Sequence, residues 1–271
     1  MTARVSTLFL LLVSGSGLLD ARANDIKQIE QALNATYKGK TMTLRNFYRG
    51  KNLRYDAQGK LVKGGPTGPW SLYAAIEVVD VRLQPKSLTI KGRRIFLIPR
   101  SKDDFQHIRD GRVSIGAEIA TPPVSMEPLQ RLLASVFLSA DEKLADVVPD
   151  YWKGFFSDES KPKPHSGEGD AGTVYSYRGK DSSLTPPIPI HKPEPPYTPE
   201  ARDAKHQGTT VLLFVVDAQG NVADIRVVKP LGYGLDDKAV ETVRTWKFKP
   251  GLRNGHPVAV RLMVEVGFRF F

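Results

Sequence analysis

From Val258 to Phe271 the side chains alternate without a break. Val260, Leu262, Val264, Val266, Phe268 and Phe270 point one way, and Arg261, Met263, Glu265, Gly267 and Arg269 point the other. A period of two over this length is a β-strand, and a strand apolar on one face belongs to an antiparallel sheet with one side covered and one side wet. The partners lie just upstream. Thr209 to Val216 is a continuous β-branched and apolar run, Asp217-Ala218-Gln219-Gly220-Asn221 turns the chain, and Val222 to Lys229 sets Ile225 and Val227 against Asp224 and Arg226. That pattern predicts a β-hairpin with a glycine in its loop. The cover comes between: Leu235, Ala239, Val243 and Trp246 form one helical stripe, Asp236 and Asp237 suit the positive end of the helix dipole, Lys247 and Lys249 suit its other end, and Pro250-Gly251 stops it. The expectation for residues 197–271 is a ββαβ module, a three-stranded antiparallel sheet packed on one helix.

Composition removes much chemistry. The 271 residues include no cysteine, so disulfides, thiolate nucleophiles, Cys-ligated zinc and iron–sulfur clusters are excluded. The five histidines (His107, His165, His191, His206 and His256) have no metal-ligand spacing. A content of 41% hydrophobic and 25% charged residues is that of a globular chain. Residues 1–23 have the three parts of a secretory signal: Arg4, an apolar run from Val5 to Leu19 broken by Ser14, Gly15, Ser16 and Gly17, then Ala21-Arg22-Ala23. A membrane-spanning helix needs roughly 20 apolar residues, and this run is shorter. We therefore expect cleavage after Ala23 and export. Retention of residues 1–23 as an inner-membrane anchor is the alternative.

Residues 24–157 are expected to form a basic α+β domain. Ile26, Ile29, Leu33 and Tyr37 recur at helical spacing. Strand-like runs follow at 41–48, 53–55, 61–62, 70–83, 87–90, 94–98 and 113–119, with turns at Asp56–Gly59 and Gln84–Ser87. Leu129, Leu132, Leu133, Val136 and Phe137 then mark a helix, a second short helix is expected over Ser139–Val148, and Trp152 and Phe155 read as core. Of the net charge of +10, this domain holds 21 basic against 14 acidic side chains, densest around Lys38, Lys40, Arg45, Arg49, Lys51 and Arg54 with Tyr37, Phe47, Tyr48 and Tyr55 interleaved. We take this first as a solvated strand face and second as contact with an anionic envelope polymer or lipid head groups. No nucleic acid is expected for an exported protein. Residues 158–196, with Lys161-Pro162-Lys163-Pro164, Pro186-Pro187-Ile188-Pro189-Ile190 and Pro193-Glu194-Pro195-Pro196, predict a proline-rich, semi-rigid spacer.

Motifs that would signal catalysis fail on inspection. Gly39-Lys40-Thr41 resembles the end of a phosphate-binding loop, but Asn34 stands at its first glycine position. Gly232-Tyr233-Gly234 lies between a strand and a helix, yet Asp237 holds the third glycine position of a dinucleotide fingerprint. Asp103, Asp104 and His107 form a solvated turn, and Ser114 lacks the flanking glycines of a nucleophile elbow. No cofactor, no metal and no enzymatic activity are expected. An envelope hydrolase with its site in residues 24–157 has no catalytic constellation to carry it.

Pro196-Tyr197-Thr198-Pro199, Gln207-Gly208-Thr209, Val215-Val216-Asp217, Gly220-Asn221-Val222, Leu235-Asp236, Trp246-Lys247-Phe248-Lys249-Pro250 and Gly255-His256-Pro257-Val258 together resemble the C-terminal domain of the TonB family. Thr198 departs from the proline that often follows the tyrosine. The resemblance implies a periplasmic domain that grips a short extended peptide, the TonB box, of an outer-membrane transporter, adding it as a strand to an exposed sheet edge and so supporting TonB-dependent transmembrane transport. It places the receiving edge at Val258, Val260, Arg261, Leu262, Met263, Val264 and Glu265, with Glu194 and Tyr197 beside it. Two alternatives stay open: pairing of that edge with a second copy to give a homodimer, and a membrane-anchored energy transducer that keeps residues 1–23. Without an anchor, such a domain binds but cannot pull.

Overall fold

The computed structural model describes residues 15–120, 126–157, 173–176 and 183–270. Most of the apolar run expected as a signal (residues 1–14), the segments 121–125, 158–172 and 177–182, and Phe271 lie outside the described residues. Helix α1 (Gly15–Tyr37) runs through the expected cleavage point, so it begins earlier than the spacing of Ile26, Ile29 and Leu33 alone would place it. Among the described residues, no helix is long and apolar enough to cross a membrane.

The N-terminal unit continues with β1 (Thr41–Thr43), β2 (Asn52–Tyr55), β3 (Leu61–Lys63), the short helix α2 (Trp70–Tyr73), β4 (Ala75–Gln84), β5 (Ser87–Pro99) and β6 (Phe105–Glu118). The strands form one sheet in the order β1-β4-β5-β6-β2-β3. Period-two alternation decides its two faces. Ile76, Val78, Val81, Leu83, Leu88, Ile90, Val113 and Ile115 point inward, where Leu33 of α1 and Leu129, Leu132, Leu133 and Val136 of α3 (Met126–Val136) cover them. Side chains on α1 dock it to the sheet by backbone bonds: Asn34 Nδ2 donates to the Val81 carbonyl and Glu30 Oε2 accepts from the Leu83 amide, both at 2.7 Å. The helix expected over 139–148 is the shorter α4 (Leu144–Val147), and a further helix, α5 (Asp150–Phe156), follows it.

The strand expected from Trp70 begins only at Ala75, and the reason is tertiary. Trp70 and Trp152 are fully buried with their rings edge to face, centroids 5.1 Å apart. A turn of helix after Pro69 is what carries Trp70 into that contact, and burial of so large a side chain outweighs β-propensity. Arg94 is also buried. Its guanidinium donates to the carbonyls of Tyr73, Tyr48 and Gly50 at 2.6–3.1 Å, which offsets the loss of water around the charge.

The chain resumes with β7 (Val174–Ser176), β8 (Leu184–Thr185), β9 (Ile188–His191), α6 (Pro199–Asp203), β10 (Gly208–Val216), β11 (Val222–Lys229), α7 (Leu235–Val243), β12 (Lys247–Lys249), β13 (Gly251–Arg253) and β14 (His256–Phe268). The expected antiparallel core β11-β10-β14 is present, with Leu235, Ala239, Val243 and Trp246 buried against it. The sheet is larger than three strands, because β13 and β8 extend it in the order β11-β10-β14-β13-β8, and β7 pairs with β14. Lys247 and Lys249 lie in a strand rather than at the helix end; β12 pairs with β9. Three strands (β7, β8 and β9) thus come from the stretch expected to be a free spacer. Proline repeats permit extended backbone, and here open sheet edges use it.

Nor do the two units hang apart. One apolar core runs through Trp70, Leu72, Ile95–Ile98, Val148 and Trp152 of the first unit into Leu212, Phe214, Tyr233, Leu235, Val240 and Phe268 of the second. The turn before α7 packs tightly against the first unit. Gly234 has φ +71°, and a Cβ there would sit 2.9 Å from Pro69 Cγ, so only glycine fits. The two first-turn aspartates of α7 are buried, which the dipole argument does not foresee. Asp236 accepts from the Leu231 and Gly232 amides at 2.7 and 2.8 Å. Asp237 Oδ1 accepts from the Tyr151 hydroxyl at 2.8 Å and Trp152 Nε1 at 3.3 Å, while its Oδ2 has no hydrogen-bond partner among the described residues.

Burial raises the Asp237 carboxyl to about 6, against the pull of the Tyr151 and Trp152 donors, because the charged form is poorly solvated there. A carboxyl raised in the folded state contributes stability that is full below its unfolded value and lost as pH climbs through the folded one. Stability from this group should therefore fall between about pH 4 and pH 7 by up to about 3 kcal/mol. Asp237→Asn should remove that part of the slope, read as denaturant midpoints across the range. A slope unchanged by the substitution would exclude Asp237 as its source.

Candidate functional site

Strand β14 has two edges with different fates. Its inner edge pairs antiparallel with β10 from Gly208 opposite Phe268 to Val216 opposite Val260. Its outer edge is divided. His256, Pro257 and Val258 pair with β13. Ala259, Val260 and Arg261 pair in parallel with Val174, Tyr175 and Ser176 of β7. From Leu262 to Phe268, no strand among the described residues takes the outer edge. A sheet edge left open presents a row of unpaired amides and carbonyls.

A groove of about 550 Å³ runs beside the last part of this edge, lined by Lys192, Glu194, Tyr197, Trp246, Glu265, Gly267 and Arg269 among others. Its far wall is the extended segment 192–197, and particular contacts set that wall. Trp246 Nε1 donates to the Pro193 carbonyl at 3.0 Å, and Lys192 Nζ lies 4.9 Å above the same indole. Tyr197 stacks on Phe270 with centroids 4.6 Å apart and meets Phe268 edge to face. Thr198 caps α6 by accepting from the Ala201 amide, and its hydroxyl donates to the Tyr233 carbonyl at 2.7 Å. The threonine that departs from the family's proline is therefore what ties this wall to the turn before α7.

Of the residues expected at the site, Glu194, Tyr197 and Glu265 line the groove, and Leu262, Met263 and Val264 lead into it along the open edge. Met263 is 55% exposed, an unusual position for methionine on a sheet face. Val258, Val260 and Arg261 are elsewhere: they are already paired, the first to β13 and the other two to β7. Sequence reasoning missed Trp246 and Lys192 as wall residues, since the tryptophan's place in the apolar stripe hid its ring nitrogen. It also missed β7, although Val174-Tyr175-Ser176 carries β-branched and aromatic residues typical of strands. Among the described residues, no group of three or more His, Asp or Glu side chains could hold a metal ion.

Residues 193–270 match the family described as the Gram-negative bacterial TonB protein C-terminal. The chain carries a TonB C-terminal domain. Protein TonB of Xanthomonas campestris pv. campestris (strain B100) is 40% identical over 75 residues, which is 27% of this chain and 34% of that protein. Protein TonB of Vibrio cholerae serotype O1 is 33% identical over 91 residues, 31% of this chain and 37% of that one. The chain thus spans about a third of the length of the curated relatives it matches. The solution NMR structure of the Pseudomonas aeruginosa TonB CTD is 22% identical, covering 35% of this chain and 95% of that one, with a TM-score of 0.27. The family match begins at residue 193, so the N-terminal unit lies outside it.

The divided edge has a direct spectroscopic consequence. Amides of β14 that point away from β10 should exchange slowly at 259–261, where β7 covers them, and quickly from 262 to 268. Residue-resolved hydrogen exchange checks this. Uniform protection along the outer edge would mean that another segment covers it.

Proposed function

We propose that the TonB domain of this chain binds an extended peptide of an outer-membrane transporter by adding it as a strand to β14 between Leu262 and Phe268, and that the chain acts in this way in TonB-dependent transmembrane transport, as an exported periplasmic protein without catalytic activity. The observation that carries the reading is the state of one edge. Up to Arg261 it already holds an added extended segment, and from Leu262 no strand among the described residues takes it and a groove lies beside it.

The chemistry of such addition is backbone recognition. Each amide–carbonyl bond contributes about 1 kcal/mol net, and docking costs several kcal/mol of lost freedom, so a short peptide binds on the order of micromolar or weaker. Selectivity comes from alternate side chains. Those of one parity would meet Tyr197 and Trp246, and Glu194, Glu265, Lys192 and Arg269 offer both signs of charge at the rim. The N-terminal unit shares a core with the domain and fixes where the edge faces.

The test is a titration of the labelled full chain with a synthetic TonB-box peptide followed by NMR. Shifts should concentrate at 262–268 and 192–197, and methylating the peptide's alternate backbone amides should weaken binding at least tenfold. Equal binding of both peptides, or a footprint on another surface, would overturn the reading. A rise in mass with concentration would instead favour self-pairing of the edge. Removing residues 173–176 should lengthen the footprint back to 259–261 and tighten binding several-fold, because the incoming strand no longer competes with β7. An unchanged footprint would confine recognition to the stretch after Arg261.

A further inference from the structure

The outward face of the N-terminal sheet carries charge that the fold does not use. Most of the cations counted densest in the sequence lie outside this patch, and Arg54 is the exception. Arg45 donates to both oxygens of Glu142 at 2.5 and 2.6 Å, Phe47 and Tyr55 are buried core, and Arg49 stacks on Tyr73. Folding joins Arg54 to cations from distant parts of the chain. Lys91 and Arg93 of β5, Arg112 of β6, Arg54 of β2 and Lys63 of β3 are exposed, on strands that are neighbours in the order β5-β6-β2-β3.

Register makes the arrangement costly. Arg93 stands directly opposite Arg112, and Arg54 directly opposite Lys63. Like charges facing each other across a strand pair destabilise a sheet. The facing acids relieve this only in part: Glu77 attracts Arg93 and Asp80 attracts Lys91, but the hydrogen bonds of both go to other arginines. Glu77, opposite Arg93, accepts from Arg109 with both oxygens at 2.8 and 2.9 Å. Asp80, opposite Lys91, accepts from Arg82 at 2.7 Å. None of the five cations has an ion pair within 4 Å among the described residues. Between them lies a floor of short polar side chains, Thr89, Ser114 and Asn52, opened further by Gly116 between Thr89 and Arg54.

We infer that this face binds an extended, hydrated polyanion, a polymer with repeated phosphate or carboxylate groups, through Lys91, Arg93, Arg112, Arg54 and Lys63. Strand spacing of about 4.8 Å and a same-face repeat of about 6.8 Å set the cations out as a grid that a chain of anions can follow. The low floor leaves room for the polymer backbone, and its hydroxyl and amide groups can bond to it. A bilayer surface fits less well. Interfacial binding uses aromatic and long apolar side chains, and the large apolar residues exposed on the described strands of this sheet are two isolated valines, Val62 on β3 and Val79 on β4.

The experiment uses the full chain with long-chain polyphosphate and polygalacturonate as probes, and phosphatidylglycerol vesicles as the membrane arm. Binding to the polymers should weaken more than tenfold between about 50 and 300 mM salt, as expected where bound counterions are released. Arg93→Ser with Arg112→Ser should cost at least tenfold in affinity, whereas Lys229→Ser with Lys249→Ser, an equal loss of charge on the TonB domain, should stay within twofold. The same Arg93 and Arg112 substitutions should raise the melting temperature, because they remove a repulsion; stability and binding move in opposite directions. Absence of polymer binding, equal losses in both double variants, a melting temperature that falls with affinity, or vesicle binding as tight as polymer binding would each overturn the proposal.

Discussion

Asp237 stands where the two halves of the molecule meet. Its carboxyl takes the Tyr151 hydroxyl and the Trp152 indole from α5, and neighbouring Asp236 holds the Leu231 and Gly232 amides. Those bonds shape the turn that carries Tyr233, whose carbonyl receives the Thr198 hydroxyl. Thr198 follows Tyr197, and Tyr197 packs on Phe268 and Phe270 at the end of β14. A continuous path of hydrogen bonds and ring contacts therefore leads from the seam to the wall of the groove. Burying two carboxyls is tolerable because each accepts two protein donors, and burial raises the Asp237 carboxyl so that protonation lowers the remaining cost as pH falls.

Around that anchor the fold manages its sheet edges. The C-terminal sheet would otherwise leave the outer edge of β14 open along its length, and an exposed edge invites uncontrolled pairing. Here β13 and β7 cover its first part with short strands, and among the described residues no strand covers the stretch beside the groove. The N-terminal sheet is handled differently: one face is covered by α1 and α3, and the other is charged.

Much of the TonB domain was legible in sequence because each element stated its own period. The alternation from Val258, the hairpin around Gly220 and the stripe Leu235-Ala239-Val243-Trp246 all fold as read. What escaped were features decided by distant contacts. Trp70 belongs to a helical turn because Trp152 waits for it. Asp236 and Asp237 are buried because α5 and the 231–232 turn approach them. Proline-rich residues 184–191 are strands because β12 and β13 offer them edges. At the site, Glu194, Tyr197 and Leu262–Glu265 could be placed from the resemblance. The prior occupancy of Val260 and Arg261 could not, since a three-residue parallel strand leaves little mark on composition.

The shared core also changes what the molecule can reach. A domain on a free polyproline spacer samples a large volume, and two ligands held at its ends meet at low effective concentration. In this structure much of the described spacer is consumed as strands and the units are joined through Trp70, Trp152 and Leu235. The open edge of β14 and the outer face of the N-terminal sheet then keep a fixed separation and orientation. Anything held on one face would be presented to the other edge as by a rigid bracket, with its position set by packing rather than by the length of a tether.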